Sequence, residues 1–230
     1  MIRMSEVTNH KIENVYWVTL KDGNVRLATI NAVPGKKVYT ERLVNIDGVE
    51  YRTFDPYKSK LGAAIMKKME NFSLQSTTKM LYLGAASGTT VSHISDMIPG
   101  GEIYAIEFSA RSIRDLLAVA EQRTNIVPIL ADARNPETYS FSIPLVDIVY
   151  EDVAQPIQTD ILKVNVEAYL KQDGYFYLAV KARSIDVTKD PKVIFEEVKS
   201  EILSYGWKIT EVIDLEPYEK DHIMIVGQKA

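Results

Sequence analysis

Cysteine does not occur among the 230 residues. Its absence excludes disulfides and thiolate zinc sites. Histidine is nearly as scarce: His10, His93 and His222 are scattered, which argues against a metal cluster, so no metal is expected. No apolar run approaches the roughly 20 residues of a helical membrane span. Met1-Ile2-Arg3-Met4-Ser5-Glu6 lacks the apolar segment of an export signal, so the expectation is a cytoplasmic protein without a membrane partner. Positive charge is also short: 27 Lys and Arg face 31 Asp and Glu, a net charge of −4. A protein that binds RNA unaided is usually basic. If nucleic acid is the substrate, another component must supply most of the backbone affinity. Two phosphate-binding signatures are missing as well. No G-K-[ST] run marks a P-loop, and no G-x-G-x-x-G marks a nicotinamide-binding turn.

Hydrophobic residues make up 46% of the chain, enough for a sizeable core. The length fits one large domain, or one domain with a small appendage. The character of the sequence changes near residue 55. Before it lie short strands and tight turns: Val15 to Leu20, Val25 to Ala32, and two runs flanking Asp47-Gly48, a strong hairpin signal. After it, apolar strand-like runs (80–85, 102–107, 127–131, 146–151, 174–181, 208–215, 222–228) alternate with helix-like segments (59–71, 89–98, 110–122, 158–170, 191–205). This pattern predicts a small β domain over 1–55. Over 56–230 it predicts an α/β domain with a mostly parallel, doubly wound sheet. The last two strands have no helix between them and should pair antiparallel.

The most informative stretch is Leu81-Tyr82-Leu83-Gly84-Ala85-Ala86-Ser87-Gly88-Thr89-Thr90. An apolar strand runs into a small-residue turn, and the turn into a helix. Gly84 permits a sharp turn, and Gly88 permits another molecule to approach without meeting a Cβ. Thr89 and Thr90 sit at the positive end of the helix, where amides are unpaired. That suits a ligand bearing a carboxylate or phosphate. About 20 residues on, a second strand delivers Glu107, the spacing of a ribose-hydroxyl acceptor. The second glycine of a nicotinamide turn is Ala86 here, and the G-x-x-x-G spacing looks like an S-adenosylmethionine turn. An ordinary strand–turn–helix remains the plain alternative. Polar groups recur at later strand ends: Asp132-Ala133-Arg134, Glu151-Asp152-Val153-Ala154-Gln155-Pro156 and Lys181. Ligands of such sheets bind outside those ends.

Several segments together resemble the archaeal-type fibrillarin-like RNA 2′-O-methyltransferases. They are Gly48-Val49-Glu50-Tyr51-Arg52, Ser59-Lys60-Leu61, Leu83 to His93, Ala105-Ile106-Glu107-Phe108-Ser109, Ala131-Asp132-Ala133-Arg134 and Glu151-Asp152-Val153-Ala154-Gln155-Pro156. The likeness covers nearly the whole chain in order. The glycine turn and Glu-Asp-Val-Ala-Gln-Pro are its most specific parts. The Gly/Arg-rich extension of eukaryotic fibrillarins is lacking. Lys58 replaces a common Arg, and Gly62 replaces a usual Ala of better helix propensity.

The resemblance implies a Rossmann-like class I methyltransferase with S-adenosylmethionine as cofactor. Gly84 and Ala85 would form the turn, and Thr89 and Thr90 would bind the methionine carboxylate. Glu107 would accept both ribose hydroxyls, and Phe108 would lie on the adenine, its alternative being a core phenylalanine. Asp132 and the Ala133 amide would read the adenine edge, and Asp152 and Gln155 would line the methionine side. It nominates Lys60, Asp152, Lys181 and His222 for catalysis. Lys181, ending an apolar strand and so expected to be partly desolvated, is the candidate for the group that accepts the proton or stabilises the alkoxide. Lys60 would orient the ribose, Asp152 would hold a lysine and the hydroxyl in line, and His222 would tune the set. The implied partners are a Nop-family scaffold protein, a kink-turn-binding ribosomal-type protein, a box C/D guide RNA and target RNA, with rRNA and tRNA as substrates. A small-molecule or protein methyltransferase, or a non-catalytic scaffold with this fold, remains open.

Overall fold

The computed structural model describes residues 5–229, so most of the segment read for an export signal lies outside the described residues. The first strands are β1 (Glu6–Asn9), β2 (Val15–Thr19), β3 (Val25–Ile30), β4 (Leu43–Ile46) and β5 (Val49–Thr53). They form an antiparallel sheet in the order β1-β2-β3-β5-β4. The sequence did not signal β1: it is four residues long, largely exposed and without an apolar run. The Asp47-Gly48 hairpin forms, both residues taking positive φ, 52° and 84°. That is the turn geometry whose twist matches paired strands.

From residue 60 onward, helices alternate with strands: α1 (Lys60–Met66), β6 (Lys79–Leu83), α2 (Thr89–Met97), β7 (Glu102–Glu107), α3 (Ser112–Ala120) and β8 (Ile126–Leu130). A 3₁₀ turn over Pro136–Ser142 precedes β9 (Val146–Glu151), α4 (Gln158–Tyr169), β10 (Leu170–Lys181), the short α5 (Ala182–Ile185), α6 (Pro191–Ser204), β11 (Lys208–Asp214) and β12 (His222–Gln228). The sheet order is β11-β12-β10-β9-β6-β7-β8. Strands β6 to β10 run parallel, and β12 is antiparallel to both β10 and β11. This is the doubly wound, mostly parallel sheet that the alternation predicts.

Side chains along each inner strand feed two cores. Met80, Tyr82 and Ile148 pack with Leu61, Val91 and Ile94 on one face. Leu81, Leu83 and Val149 pack with Ile161, Leu162 and Ile194 on the other. Burial on both faces is why these strands read as continuous apolar runs.

The first core also takes in Ile12, Val15, Leu27 and Phe54 from the N-terminal sheet. A polar joint lies beside it. Arg52 has no exposed side-chain surface and bridges Glu41 at 2.8 Å and Asp96 at 2.9 Å. Asp96 also receives Arg123 and the Thr29 hydroxyl. His93, fully buried, stacks on Phe54 at 4.0 Å and lies 2.8 Å from both Thr29 Oγ1 and Tyr39 OH. A neutral ring protonated on Nδ1 completes this chain, donating to Thr29 while Nε2 accepts from Tyr39. Burial, then the positive charges of Arg52 and Arg123, hold the His93 pKa well below its ordinary value. The change near residue 55 is therefore a change of architecture across a continuous interior.

Candidate active site

Strand β6 pairs with β7 on one side and β9 on the other, so the winding of the sheet reverses between β6 and β9. Ligands of doubly wound sheets lodge outside the carboxyl ends at this point. Those ends are tied together: the Asp152 amide donates to the Leu83 carbonyl at 2.9 Å. Gly84 follows with φ of +82°, and a Cβ on it would stand 2.6 Å from the Asp152 carbonyl oxygen. Only glycine permits that approach. Gly88 caps α2 at φ +89°, and the space left by its absent Cβ faces Leu116 of α3, 3.0 Å away. The expectation that Gly88 makes room for a ligand is corrected. It serves the left-handed backbone and the packing of α3.

A cavity of about 270 Å³ opens at this point, lined by Gly84, Glu107, Phe108, Asp132, Ala133, Asp152 and Gln155 among others. Glu107 Oε2 accepts from the Ala86 amide and Oε1 from the Ser109 amide, each at 2.7 Å. The carboxylate is thereby fixed, and each oxygen keeps capacity for one more donor. Sequence reasoning missed Ala86 as a site residue. Its φ of +48° turns its amide onto Glu107, and the only signal was an alanine where a nicotinamide turn has glycine. Asp132 is gripped by Arg134, with contacts from 2.5 to 3.0 Å, and these bonds lower its pKa. Phe108 is 71% exposed on the lip of the cavity, which rules out a core role.

Three cofactor-side candidates stand apart from this lining. The Ala85 amide, with that of Gly84, is bonded to the Ile106 carbonyl. The Thr90 hydroxyl donates to Ser59 Oγ at 2.9 Å and is buried, so the expected use of that hydroxyl on a carboxylate is corrected, while its first-turn backbone amide is unaffected. Thr89 is half-buried at the first position of α2. What α2 offers an anion is its unpaired first-turn amides.

The catalytic candidates fall into two pairs. Lys60 opens α1, which Ser59 caps by accepting from the Gly62 amide. Its ammonium reaches both oxygens of Asp152, at 2.8 and 3.1 Å, with both side chains about four-fifths enclosed. Lys181 is the cross-strand neighbour of His222. It is exposed, so the expected desolvation is corrected: Phe176 to Val180 are buried, but Lys181 stands where β10 leaves the sheet. His222 is buried, and its Nδ1 donates to the Lys220 carbonyl at 2.6 Å, leaving Nε2 as an acceptor in the neutral ring. Burial lowers its pKa first, opposed by that carbonyl and aided by the charges of Lys60 and Lys181.

Next to Asp152, the side chain of Glu151 is fully buried, and neither carboxyl oxygen has a hydrogen-bond partner among the described residues. Desolvation, then the charge of Asp152, pushes its pKa well above the ordinary value. The folded chain thus keeps a proton on Glu151 that the unfolded chain loses above about pH 4.5. Stability from this group is full below that pH and is lost as pH rises through the folded value. Glu151→Gln removes the titration, so its melting temperature should gain more over wild type at pH 8 than at pH 5. Thermal unfolding at the two pH values checks this, and an equal gain at both would show that Glu151 does not titrate.

A sheet reversed at β6 and β9, with its cavity edged by one acid on β7 and another beyond β8, places this chain among the Rossmann-like methyltransferase folds. A family model described as Fibrillarin matches residues 7–230, and the chain belongs to the fibrillarin family. It is 52% identical over 227 residues to a fibrillarin-like rRNA/tRNA 2′-O-methyltransferase of Pyrococcus horikoshii, covering 98% of this chain and 100% of that one. Among solved structures it is similar to Aeropyrum pernix fibrillarin with natively bound S-adenosyl-L-methionine. The TM-score is 0.91 and the identity 44%, with coverage of 99% and 100% of the two chains. It is also similar to the fibrillarin chain of a fibrillarin/Nop5p complex, with a TM-score of 0.84, 42% identity and coverage of 95% and 98%.

Proposed function

We propose that this chain is the catalytic subunit of a box C/D guide RNA particle and methylates ribose 2′-hydroxyls of rRNA and tRNA, with S-adenosylmethionine as methyl donor. The observation that carries this reading is the enclosed Lys60–Asp152 pair at the end of β9, beside the cavity edged by Glu107. Membership of the fibrillarin family and the cofactor bound to the Aeropyrum relative support it. The Nop5p complex of a relative supports a Nop-family scaffold as partner. The net charge of −4 fits an enzyme whose RNA affinity resides in such partners, which we extend to a kink-turn-binding protein and the guide RNA.

The residues fit the cofactor. Glu107 has one free acceptor site on each oxygen for the ribose hydroxyls. Phe108 offers an exposed ring to the adenine, Asp132 and the Ala133 amide meet its edge, and Gln155 lines the methionine side. The bound cofactor supplies a methyl group on a positively charged sulfur. A 2′-hydroxyl is a weak nucleophile, so the chain must align it, exclude water and provide for its proton. In this reading Lys60, clamped by Asp152, stabilises negative charge growing on the ribose oxygen. The Asp152 carboxylate would accept the hydroxyl proton as the oxygen–carbon bond forms and the methyl carbon–sulfur bond breaks, the bonding pair staying on sulfur as a neutral thioether. His222 and Lys181 set the field around that pair.

Calorimetry should find one S-adenosylmethionine site per chain. Glu107→Ala should weaken it by about 1–3 kcal/mol through loss of charge-assisted hydrogen bonds. Methylation of guide-matched RNA should require the partners. Binding of NADH in place of S-adenosylmethionine, or site-specific methylation by the isolated chain, would contradict this reading.

A further inference from the structure

The segment that enters α1 and the segment that enters β12 meet outside the cavity. Tyr57 and Tyr218 pack there edge to face, with ring centroids 5.2 Å apart and planes at 71°. Tyr57 is 59% exposed. The two rings form one wall of a second cleft, of about 440 Å³, whose other wall is the N-terminal sheet with Arg26 and Arg42. Both arginines are exposed, and the salt bridge of Arg42 is a loose 3.7 Å contact with exposed Asp22. Lys58, also exposed, follows Tyr57 in the chain. Glu41 in the same wall does not cancel this charge: it is buried, paired with Arg52, and holds the amides of Val38 and Tyr39. Asp55 does subtract from it, although one of its oxygens accepts from the Tyr57 amide.

We infer that this cleft holds the sugar–phosphate backbone of the RNA strand beside the nucleotide being methylated. The inference rests on the RNA reading above and goes beyond it by assigning the groups that seat the strand. Position is the first argument. Tyr57 lies three residues before Lys60, Met66 of α1 lines the cleft, and Tyr218 sits on the loop that leads to His222, so α1 and the approaches to two catalytic candidates build its wall. Chemistry is the second. Guanidinium groups bind phosphate through paired N–H donors, and flat aromatic rings receive sugars and bases. Charge is the third. On a chain of net charge −4, exposed cations flanking an aromatic pair beside the reacting groups form a local site for a polyanion.

The test uses the assembled particle with guide RNA and a complementary target oligonucleotide. Tyr57→Ala/Tyr218→Ala should raise the KM for target about tenfold. S-adenosylmethionine affinity and kcat at saturating target should not change. Arg26→Ala/Arg42→Ala should raise the same KM and reduce the slope of log KM against log salt by about 0.7 for each phosphate no longer neutralised. Tyr57→Phe/Tyr218→Phe should retain most of the affinity, separating ring stacking from misfolding. A photoreactive 4-thiouridine next to the target nucleotide should crosslink to Tyr57 or Tyr218. Unchanged KM and salt slope in both alanine variants would overturn the inference while wild-type methylation upheld the parent reading. Loss of particle assembly without an RNA crosslink would assign the cleft to a protein partner and overturn it equally. Failure of the wild-type particle to methylate RNA would remove both.

Discussion

Lys60→Ala is expected to cut kcat for RNA methylation by about 10²- to 10⁴-fold, the range for loss of a group acting on proton transfer and developing charge. S-adenosylmethionine affinity should stay near wild type, because Lys60 is not among the residues lining the Glu107 cavity. Asp152→Ala should cost as much in turnover, but Asp152 lines that cavity, so some affinity should be lost as well. The two side chains are bonded to each other at 2.8 and 3.1 Å. Groups that act as a unit give non-additive losses. The double variant should therefore be little slower than either single one. Single-turnover rates with saturating cofactor and target measure this. Two independent losses that multiply would show that the pair is not one functional unit.

Arg52→Ala should be the most damaging substitution for stability. It leaves Glu41 and Asp96 buried without their central cation, and breaking a buried ion pair by removing one partner costs about 3–5 kcal/mol. For a chain of this size that is about 6–20 °C in melting temperature. Arg123 still contacts Asp96, so Glu41 suffers more. Exposed Arg42 is the control, since surface pairs contribute about 0–1 kcal/mol. Thermal unfolding of both variants decides the matter. Equal melting temperatures would mean that the buried joint between the two sheets is not a source of stability.

Most of the α/β fold could be read from the sequence because both faces of the sheet are covered. Strands β6, β7, β9, β10 and β12 each carry a mostly apolar, buried central run, and turn or helix signals separate them. Elements without such a signal escaped: β1 is polar and exposed, the 3₁₀ turn at Pro136–Ser142 has no helical periodicity, and α5 is four residues long. The site divided in the same way. Glu107 ends a strand and Asp132 and Asp152 follow strands, where position alone marks them. Ala86 acts through its backbone, and Thr90 turns its hydroxyl inward to Ser59. Neither fact can be read from side-chain identity. Lys181 looked desolvated because the five residues before it are buried, yet a strand end releases its last side chain to solvent. The buried set of Arg52, Glu41, Asp96 and His93 is spread over more than 50 residues of sequence, and only the meeting of α2 with the N-terminal sheet assembles it.

The central claim is transfer of a methyl group to a ribose 2′-oxygen. Its most direct measurement is methyl incorporation from S-adenosylmethionine by the assembled particle into two target oligonucleotides, identical except that one carries a 2′-deoxynucleotide at the guided position. The expected result is a 2′-O-methylnucleoside at that position in the first target and no incorporation in the second. Equal incorporation into both would place the methyl group elsewhere than on the ribose and contradict the account.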